Sequence, residues 1–200
     1  MTVETRKYEK KRRAELEAET RRRITETAVE LHGTVGPART SISAIAERAG
    51  VRRSTVYRHF PDEAALFDAC SSHWEAANPV PDMAPWAAID DPDERLRRAL
   101  DELYAYYGRT EPMMDNLHRD ELTVPLVAER FAGYHGSLAA ARDLLVRGRH
   151  ARGRRRDEAR AAIGHSLAYP TWKSLSREQG LDDGQAAALM CRLVSAADSG

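Results

Sequence analysis

The sequence has 200 residues, of which 42% are hydrophobic, and its formal net charge is zero. This length and composition exclude a disordered chain and allow one large domain or two small ones. Its two cysteines, Cys70 and Cys191, lack metal-site or disulfide spacing, no apolar run approaches the roughly 18 residues of a membrane span, and the N-terminus is charged, so we expect a cytoplasmic protein that is not exported.

The neutral total hides an uneven distribution of charge. Residues 1–60 carry 14 Lys and Arg against 8 Asp and Glu, which gives +6, and residues 61–200 carry the compensating −6. A basic end joined to an acidic remainder is typical of a chain that contacts nucleic-acid phosphates through one end only.

The chain starts with a polar, basic segment over residues 1–13, which we interpret as a mobile arm or a frayed extension of the first helix. Two interpretations of this arm stay open, because it could contact DNA phosphates or a minor groove, or it could be a solvated tail. The first helix is predicted over residues 15–32 and ends at Gly33. Its buried stripe contains Ile24, Ala28 and Leu31.

Residues 40–66 predict two short helices joined by a tight turn. Ser41 is placed to cap the first of them, and Gly50 suits the left-handed conformation that ends it. Val51 is expected to anchor the turn in the core, and the second helix covers about residues 53–59. The apolar residues that face inward are Ile42, Ile45, Ala46, Ala49, Val56 and Phe60.

The outward residues of the second helix carry guanidinium, hydroxyl and imidazole groups, which suit guanine edges and DNA phosphates. From about residue 22 to residue 69, roughly a quarter of the chain, the sequence resembles the DNA-binding domain of the TetR family of transcriptional regulators. In that family a Gly-Val turn precedes a recognition helix with a Thr-x-Tyr-x-x-Phe run, and Thr55, Tyr57 and Phe60 have that spacing. Glu63 is a departure, since family members often carry a lysine there as a phosphate anchor.

The resemblance implies DNA contacts for nine residues. Those at positions that typically hold phosphates are Ser41, Thr55, Tyr57 and His59. Those placed to reach bases or nearby phosphates are Ser43, Arg52, Arg53, Ser54 and Arg58.

A fourth helix is predicted from Pro61 and Asp62 to Asn78, and a proline-rich stretch follows to Asp91. We interpret this stretch as the boundary between a DNA-binding domain, residues 1–78, and a second domain, residues 79–200. Met83 and Trp86 suggest that the stretch packs on the rest of the protein.

Five further helices are predicted in the second domain. They cover residues 91–108, ended by Gly108, then 111–117, 124–147, 157–175 and 183–197. Pro170 should kink or end the eighth helix near Tyr169, because proline lacks the amide hydrogen that a helix interior needs. Without any strand pattern or repeat, the sequence predicts an all-α fold of about nine helices: an N-terminal three-helix helix-turn-helix domain and a C-terminal helical ligand-binding and dimerisation domain.

Helices five to eight carry many aromatic and methionine side chains. Any one of them is more often a core residue, but members of the resembled family build a ligand cavity from these helices, so together they are candidates for a small-molecule site. His118 and the adjacent Arg119 are the candidates for meeting a polar or acidic ligand group. The full candidate set is Trp86, Tyr104, Tyr107, Met113, Met114, Leu117, His118, Tyr134, His165, Tyr169 and Trp172.

The last two predicted helices carry small and aliphatic side chains that would let helices approach closely. The resemblance implies a homodimer with a four-helix interface, and packing within one chain is the alternative. The candidate interface residues are Ala159, Ala162, Ile163, Ser166, Leu167, Leu189, Met190, Leu193 and Val194.

The basic run over residues 147–156 is interpreted as a solvated loop rather than a second nucleic-acid site. The scattered histidines and the absence of a phosphate loop, a nucleophile elbow or a zinc signature indicate neither an enzyme nor a cofactor or metal site. The sequence therefore favours a ligand-responsive regulator, most often a repressor, that binds a palindromic operator as a homodimer. The alternatives are a protein of this fold that responds to a protein partner or to no ligand, and a ligand-binding protein without DNA specificity.

Overall fold

The computed structural model describes the backbone of residues 3–199 and the side chains of residues 7–198. Within that part of the chain there are ten α-helices and no strand, which confirms the all-α prediction. The α-helices are α1 (Val3–Thr34), α2 (Ile42–Arg48), α3 (Arg53–His59), α4 (Glu63–Ala77), α5 (Ala84–Ala87), α6 (Pro92–Asp120), α7 (Pro125–Leu145), α8 (Arg154–Leu167), α9 (Tyr169–Lys173) and α10 (Asp183–Ser199). A 3-10 turn (Pro37–Arg39) precedes α2, and a π-helical turn (Ser174–Glu178) follows α9.

The helices form two compact units. The N-terminal unit contains Met1–Pro79 and Asp115–Val127, and the C-terminal unit contains Val80–Met114 and Ala128–Gly200. The domain division at residues 78 and 79 would put Asp115–Val127 in the second domain, and that division stays a prediction. None of the described helices is long and apolar enough to cross a membrane.

The predicted arm continues the first helix. Residues 3–13 are helical and form the start of α1, whereas residues 1 and 2 lie outside the described residues. At its other end α1 runs through the predicted stop at Gly33 to Thr34. Exposed pairs one helical turn apart, Lys11 with Glu15 and Arg13 with Glu17, lie along the extension and favour the helix modestly.

The core of the N-terminal unit explains how two seven-residue helices hold their shape. Helices this short are unstable alone, so α2 and α3 depend on burial against each other and against α1, which also packs on α4. Each fully buried large apolar side chain contributes roughly 1.5 to 3 kcal/mol. The most deeply buried members of this core are Ile24, Ala28, Ile45, Val56, Phe60, Cys70 and Val127.

Helix α6 corrects the prediction of two helices over residues 91–108 and 111–117. Its start is as expected, since Asp91 Oδ1 accepts hydrogen bonds from the amides of Asp93 and Glu94 at 2.9 and 2.8 Å. It then continues without interruption to Asp120. The helix gains its stability from burial, which outweighs the local stop signals in the sequence.

Those stop signals are Gly108 and Pro112, and both lie inside α6. A Cβ at Gly108 would be 3.4 Å from Asp183 Oδ2 and 3.8 Å from the Trp172 ring, so the glycine permits close packing instead of ending the helix. Pro112 removes one backbone hydrogen bond. The fully buried ring of Tyr107 and the buried Met113 and Met114, on either side of these residues, hold the helix together.

The chain breaks where Pro170 predicts a kink. Helix α8 ends at Leu167, and α9 begins at Tyr169 with Pro170 in its first turn, where proline is tolerated. Proline has no amide hydrogen, so the Ser166 carbonyl loses its ordinary helical donor. The eighth predicted helix, residues 157–175, is therefore two helices and a π-helical turn, and it starts earlier, at Arg154.

Two tyrosines of α6 satisfy the carbonyls at this break. The hydroxyl of Tyr104 donates to Ser166 O at 2.8 Å, and that of Tyr107 donates to Leu167 O at 2.6 Å.

The proline-rich stretch contains the short helix α5. Its Trp86 is 2% exposed, and Trp86 Nε1 donates to Glu102 at 2.8 Å. The stretch packs on the C-terminal unit, as predicted.

Candidate nucleic-acid interface

The turn between α2 and α3 has the local geometry that its sequence predicts. Ser41 Oγ accepts a hydrogen bond from the Ala44 amide at 3.1 Å, which caps α2. Gly50 has φ 65°, a left-handed conformation that favours glycine. The Val51 amide then donates to Ala46 O at 2.9 Å, which closes the turn and sets where α3 begins.

Helix α3 presents a polar face because its other face is fixed in the core. Val56 and Phe60 are each 1% exposed and anchor the helix. Seven of the nine predicted DNA-contact residues on α2, the turn and α3 are exposed: Ser41, Ser43, Arg52, Arg53, Ser54, Tyr57 and Arg58. Thr55 and His59 are half-buried. The fold thus brings all nine onto one short segment of surface.

Arg53 and Tyr57 act as a pair on this face. Arg53 Nη2 donates to the Tyr57 hydroxyl at 3.2 Å, and its guanidinium carbon lies 5.5 Å from the centre of the Tyr57 ring. The hydrogen bond to Tyr57 raises the pKa of Arg53, which is charged in any case. The pair restricts the guanidinium to one side of α3, ready to meet an acceptor.

His59 is only half-exposed, which is less exposure than a phosphate contact requires. Its Nε2 is buried and has no hydrogen-bond partner among the described residues. Burial, followed by the charges of Arg58 and Arg21, lowers the pKa of His59 below its ordinary value. The lowered pKa favours the uncharged ring, and because Nε2 is buried, that nitrogen can bond to DNA only if the side chain turns outward.

Arg21 of α1 is a positioning residue that the sequence reasoning missed. Its guanidinium donates to the His59 carbonyl, the last residue of α3, and lies 4.0 Å above the Phe60 ring. Two interactions from one side chain therefore tie the end of α3 to α1. No local pattern reveals this link, because the partners are 38 residues apart in the sequence.

Glu63 stands where the resembled family often has a lysine, and it is the first residue of α4. Glu63 is exposed and opens α4, and Asp62 before it caps that helix by accepting the Ala65 amide at 2.7 Å. Two carboxylates at a helix N-terminus interact favourably with the helix dipole and stabilise the helix. Glu63 supports α4 and offers a phosphate no cation.

Arg119, proposed to meet an acidic ligand group, is instead engaged within the N-terminal unit. Its guanidinium contacts Asp120 Oδ1 at 2.7 Å, Asn116 Oδ1 at 2.8 Å and Val35 O at 3.0 Å. His118 is paired with Glu121, with His118 Nδ1 3.4 Å from Oε1. Both side chains have protein partners.

Most of the other candidate ligand residues are core residues of the C-terminal unit. Tyr104, Tyr107, Tyr169 and Trp172 are at most 2% exposed, and Tyr107 packs edge-on against Tyr169 at a centroid distance of 5.3 Å. Their polar tips have partners: Trp172 Nε1 donates to Asp183 at 2.8 Å, and Tyr107 also bonds Tyr134 at 2.9 Å. Trp86, Met113 and Met114 are buried in the same unit, Tyr134 is half-buried and His165 is exposed. Leu117 and His118 belong to the N-terminal unit.

The candidate interface residues lie on α8 and α10, which pack against each other. Six are already buried within the chain: Ala159, Ile163, Ser166, Leu167, Met190 and Val194. Leu193 is 50% exposed, and Ala162 and Leu189 are partly exposed. Of the nine candidates, only these three have surface available to a second subunit.

Among the described residues, no group of three or more His, Cys, Asp or Glu side chains could hold a metal ion.

Comparisons with known proteins agree with this geometry. Residues 24–70 match the family model of the bacterial regulatory proteins of the tetR family. A comparison with curated protein sequences gives no match.

Solved structures share the fold over most of the chain. A TetR-like transcriptional regulator from Rhodococcus sp. RHA1 is 20% identical, with a TM-score of 0.64 over 88% of this chain and 93% of that one. A second transcriptional regulator from Rhodococcus sp. Rha1 is 16% identical, with a TM-score of 0.57 over 88% and 94%. The multidrug binding protein EbrR, in complex with imidazole, is 21% identical, with a TM-score of 0.50 over 88% and 89%. Residues 24–70 are thus similar to the tetR family model, and the chain shares its fold with these solved structures.

Proposed function

We propose that this protein is a repressor that binds a palindromic operator as a homodimer and is released by a small molecule. The fold is that of a DNA-binding regulator. The observation that carries the proposal is the outer face of α3, where Arg52, Arg53 and Arg58 are exposed beside Ser54 and Tyr57 and form no ion pair among the described residues. Uncommitted guanidinium groups on a helix fixed by its core are suited to the major groove.

Arg48, on the neighbouring surface, differs from the arginines of α3 because a carboxylate binds it. Arg48 of α2 is also exposed, but Glu30 of α1 binds it through both carboxylate oxygens, and this hydrogen-bonded pair raises the pKa of Arg48. Within the described part of the chain, the arginines of α3 have no carboxylate bound to them in this way. Their charge is available to DNA, whose phosphates supply most of the salt-dependent affinity.

A homodimer follows from the size of the reading helix. Seven residues of α3 span only a few base pairs, and two copies about one DNA turn, roughly 34 Å, apart would read a palindrome. The half-exposed Leu193 on α10, with Ala162 and Leu189 beside the packed pair α8 and α10, offers apolar surface for a second copy. Mutual burial of these side chains would favour association.

The effector is the least constrained part of the proposal. The support for a small-molecule effector is that the multidrug binding protein EbrR shares this fold. A ligand that binds one conformation of the dimer better than another must lower DNA affinity by that same ratio of affinities. The second candidate is a regulator of this fold that answers to a protein partner or to no ligand, because the tyrosine hydroxyls of the core are already bonded to the protein.

DNase footprinting of the region upstream of its own gene tests the DNA-binding proposal directly. We expect protection of two half-sites related by a two-fold axis, lost on a scrambled sequence and weakened as salt is raised. Titration of that complex with a library of apolar compounds then separates the two candidates. Release by a compound supports the small-molecule effector, and a complex unaffected by every compound favours the partner-regulated alternative.

A further inference from the structure

A cavity of about 620 Å³ lies in the C-terminal unit, between the loop that joins α7 to α8 and the end of α10. Its volume is in the range of small-molecule sites, about 300 to 1,000 Å³. Five arginines and two aspartates line it, so its net formal charge is +3. The arginines are Arg147, Arg149, Arg152, Arg156 and Arg160. The interpretation of the basic run as a solvated loop therefore needs correction, because part of it forms the wall of a cavity.

Arg149 is built into this wall. Its side chain is only 4% exposed, and its guanidinium contacts Asp93 Oδ1 at 3.0 Å, Pro92 O at 3.0 Å and Asp198 Oδ2 at 3.4 Å. Its Nε is buried without any hydrogen-bond partner among the described residues. A buried donor without an acceptor is unfavourable, so the fold holds here a cationic group whose Nε lacks an acceptor.

The first turn of α8 forms another part of the wall, and its first backbone amides also lack a capping acceptor. Gly153, the residue before the helix, has φ 56° and gives no side-chain cap, so the first amides of this 14-residue helix lack a capping acceptor. The helix opens with Arg154, Arg155 and Arg156, although cations are unfavourable at the positive end of a helix dipole. An anion beside Gly153 and Arg156, which both line the cavity, would offset this repulsion and accept from the amides.

The two carboxylates of the cavity do not neutralise it. Asp143 is paired with Arg160 at 2.7 Å, and Asp198 Oδ2 with Arg149 at 3.4 Å, while Asp198 Oδ1 is buried without a hydrogen-bond partner among the described residues. Arg147, Arg152 and Arg156 are exposed and form no ion pair among the described residues. Three uncommitted guanidinium groups around a buried fourth can surround the oxygens of one multiply charged group.

We propose that this cavity is a binding site for a small molecule that carries a phosphate group. Ionised phosphate supplies several strong acceptors and two negative charges, which match the guanidinium groups, the unmet Nε of Arg149 and the uncapped start of α8. A concave site with a buried arginine suits a compact ligand better than a duplex, whose phosphates bind exposed rows of cations. The proposal does not depend on the protein's response to DNA.

Isothermal titration of the full chain with pyrophosphate, in buffer near physiological ionic strength, tests the site. Arg149→Ala would also remove contacts that support the fold, so the test variant is Arg152→Gln with Arg156→Gln, two exposed arginines of the cavity. The matched control is Arg154→Gln with Arg155→Gln, which removes the same charge from the same turn but from residues that do not line the cavity. Far-UV circular dichroism checks that both variants are folded.

We expect saturable binding of one pyrophosphate per chain with Kd below about 1 mM, weakened at least ~10-fold in the cavity variant and less than ~2-fold in the control. Equal weakening in both variants would show general attraction to a basic surface and overturn the proposal. Absence of saturation up to about 5 mM would overturn it as well. So would loss of duplex DNA binding in the cavity variant alone without any pyrophosphate binding, since that result assigns the surface to nucleic acid.

Discussion

The carboxylate of Asp120, in the last turn of α6, accepts a 2.9 Å hydrogen bond from the backbone amide of Ala38, in the turn that leads into α2. The partners are 82 residues apart in the sequence and belong to the same unit. Gly36 makes the approach possible, because it has φ 93° and a Cβ there would lie 2.6 Å from Asp120 Oδ2. Asn116 Nδ2 adds a 2.9 Å bond to His32 O. The end of α6 thus fixes the backbone just before the helix-turn-helix.

Asp120→Asn should destabilise the N-terminal unit. Asp120 is 2% exposed; burial raises the pKa of its carboxyl, but the hydrogen bonds from Arg119 and the Ala38 amide outweigh burial and leave that pKa below its ordinary value. Removing the charge leaves Arg119 without its carboxylate, and we expect a loss of about 1 to 3 kcal/mol in the free energy of unfolding. Urea denaturation at neutral pH measures it. Glu47→Gln, at an exposed carboxylate of α2, is the control. Equal stability of the two variants would show that the contacts of Asp120 with Ala38 and Arg119 do not stabilise the unit.

His32 should make the stability of this unit depend on pH. Burial lowers the pKa of His32 to about 4, with Asp120 acting weakly in the opposite direction. Because the folded pKa lies below the unfolded value near 6.5, the stabilisation is complete above pH 6.5 and is lost as pH falls toward 4. The loss between pH 7.5 and pH 5 should be about 2 kcal/mol.

Denaturation of His32→Leu across this pH range checks the assignment. The substitution removes the titrating group, so the variant should lose about 2 kcal/mol less of its free energy of unfolding than the parent protein between pH 7.5 and pH 5. His73→Leu, at an exposed histidine of α4, is the control and should follow the parent curve. A variant that keeps the full pH dependence of the parent would assign the effect to another group.

Arg53→Ala should relax the choice of DNA sequence. If Arg53 reads a guanine, its loss removes roughly 1 to 3 kcal/mol of discrimination, which is about a 5- to 150-fold change in the ratio of operator to scrambled-DNA affinity. Fluorescence anisotropy with both duplexes measures that ratio. Arg192→Ala, at an exposed arginine of α10, removes the same charge and should leave the ratio unchanged. An unchanged ratio in Arg53→Ala would show that this guanidinium binds phosphate or solvent.

Tyr57 variants separate the hydroxyl from the ring. Tyr57→Ala should weaken binding to operator and scrambled DNA alike, because we expect Tyr57 to hold a phosphate that every sequence has. Tyr57→Phe keeps the ring near Arg53 and removes only the hydroxyl 3.2 Å from Arg53 Nη2, so it should weaken binding to both duplexes by less than Tyr57→Ala does. Anisotropy titrations in which Tyr57→Ala changes only the operator affinity would contradict a phosphate contact.

Tyr107→Phe should destabilise the C-terminal unit. The hydroxyl donates to Leu167 O at 2.6 Å at the break before Pro170, and burial, with Tyr134, raises the pKa of Tyr107. Removing it leaves a buried carbonyl without that donor, so we expect a loss of about 1 to 2 kcal/mol in urea denaturation. Tyr8→Phe, at a tyrosine that is 68% exposed, should change nothing. An unaltered stability would leave the hydroxyl available for a ligand role instead.

The helix-turn-helix was predictable because its signals are local. Ser41 caps the nearest turn, Gly50 supplies the one left-handed residue, and Val56 and Phe60 mark the buried face, so each feature depends on neighbours within a few residues. The same proximity explains why the start of α6 was predicted, because Asp91 caps the amides two and three residues after it.

The features that sequence reasoning missed depend on distant partners. Gly108 and Pro112 are stop signals locally, but packing against Asp183 and Trp172 makes α6 continuous. Arg149 resembles the other arginines of its basic run, yet contacts with Asp93 and Asp198 bury it. Local patterns carry no information about such partners, and the burial of His59 Nε2 and the use of Arg119 within the protein escaped prediction for the same reason.

The indole hydrogen bonds of Trp86 and Trp172 have a practical consequence for spectroscopy. Both tryptophans are buried in the C-terminal unit, each donating to a carboxylate, whereas the third, Trp74, lies on α4 of the N-terminal unit. A Trp74→Phe protein would therefore emit only from the C-terminal unit. Its fluorescence, set beside circular dichroism of the whole chain, would show whether the two units unfold in one transition or in two.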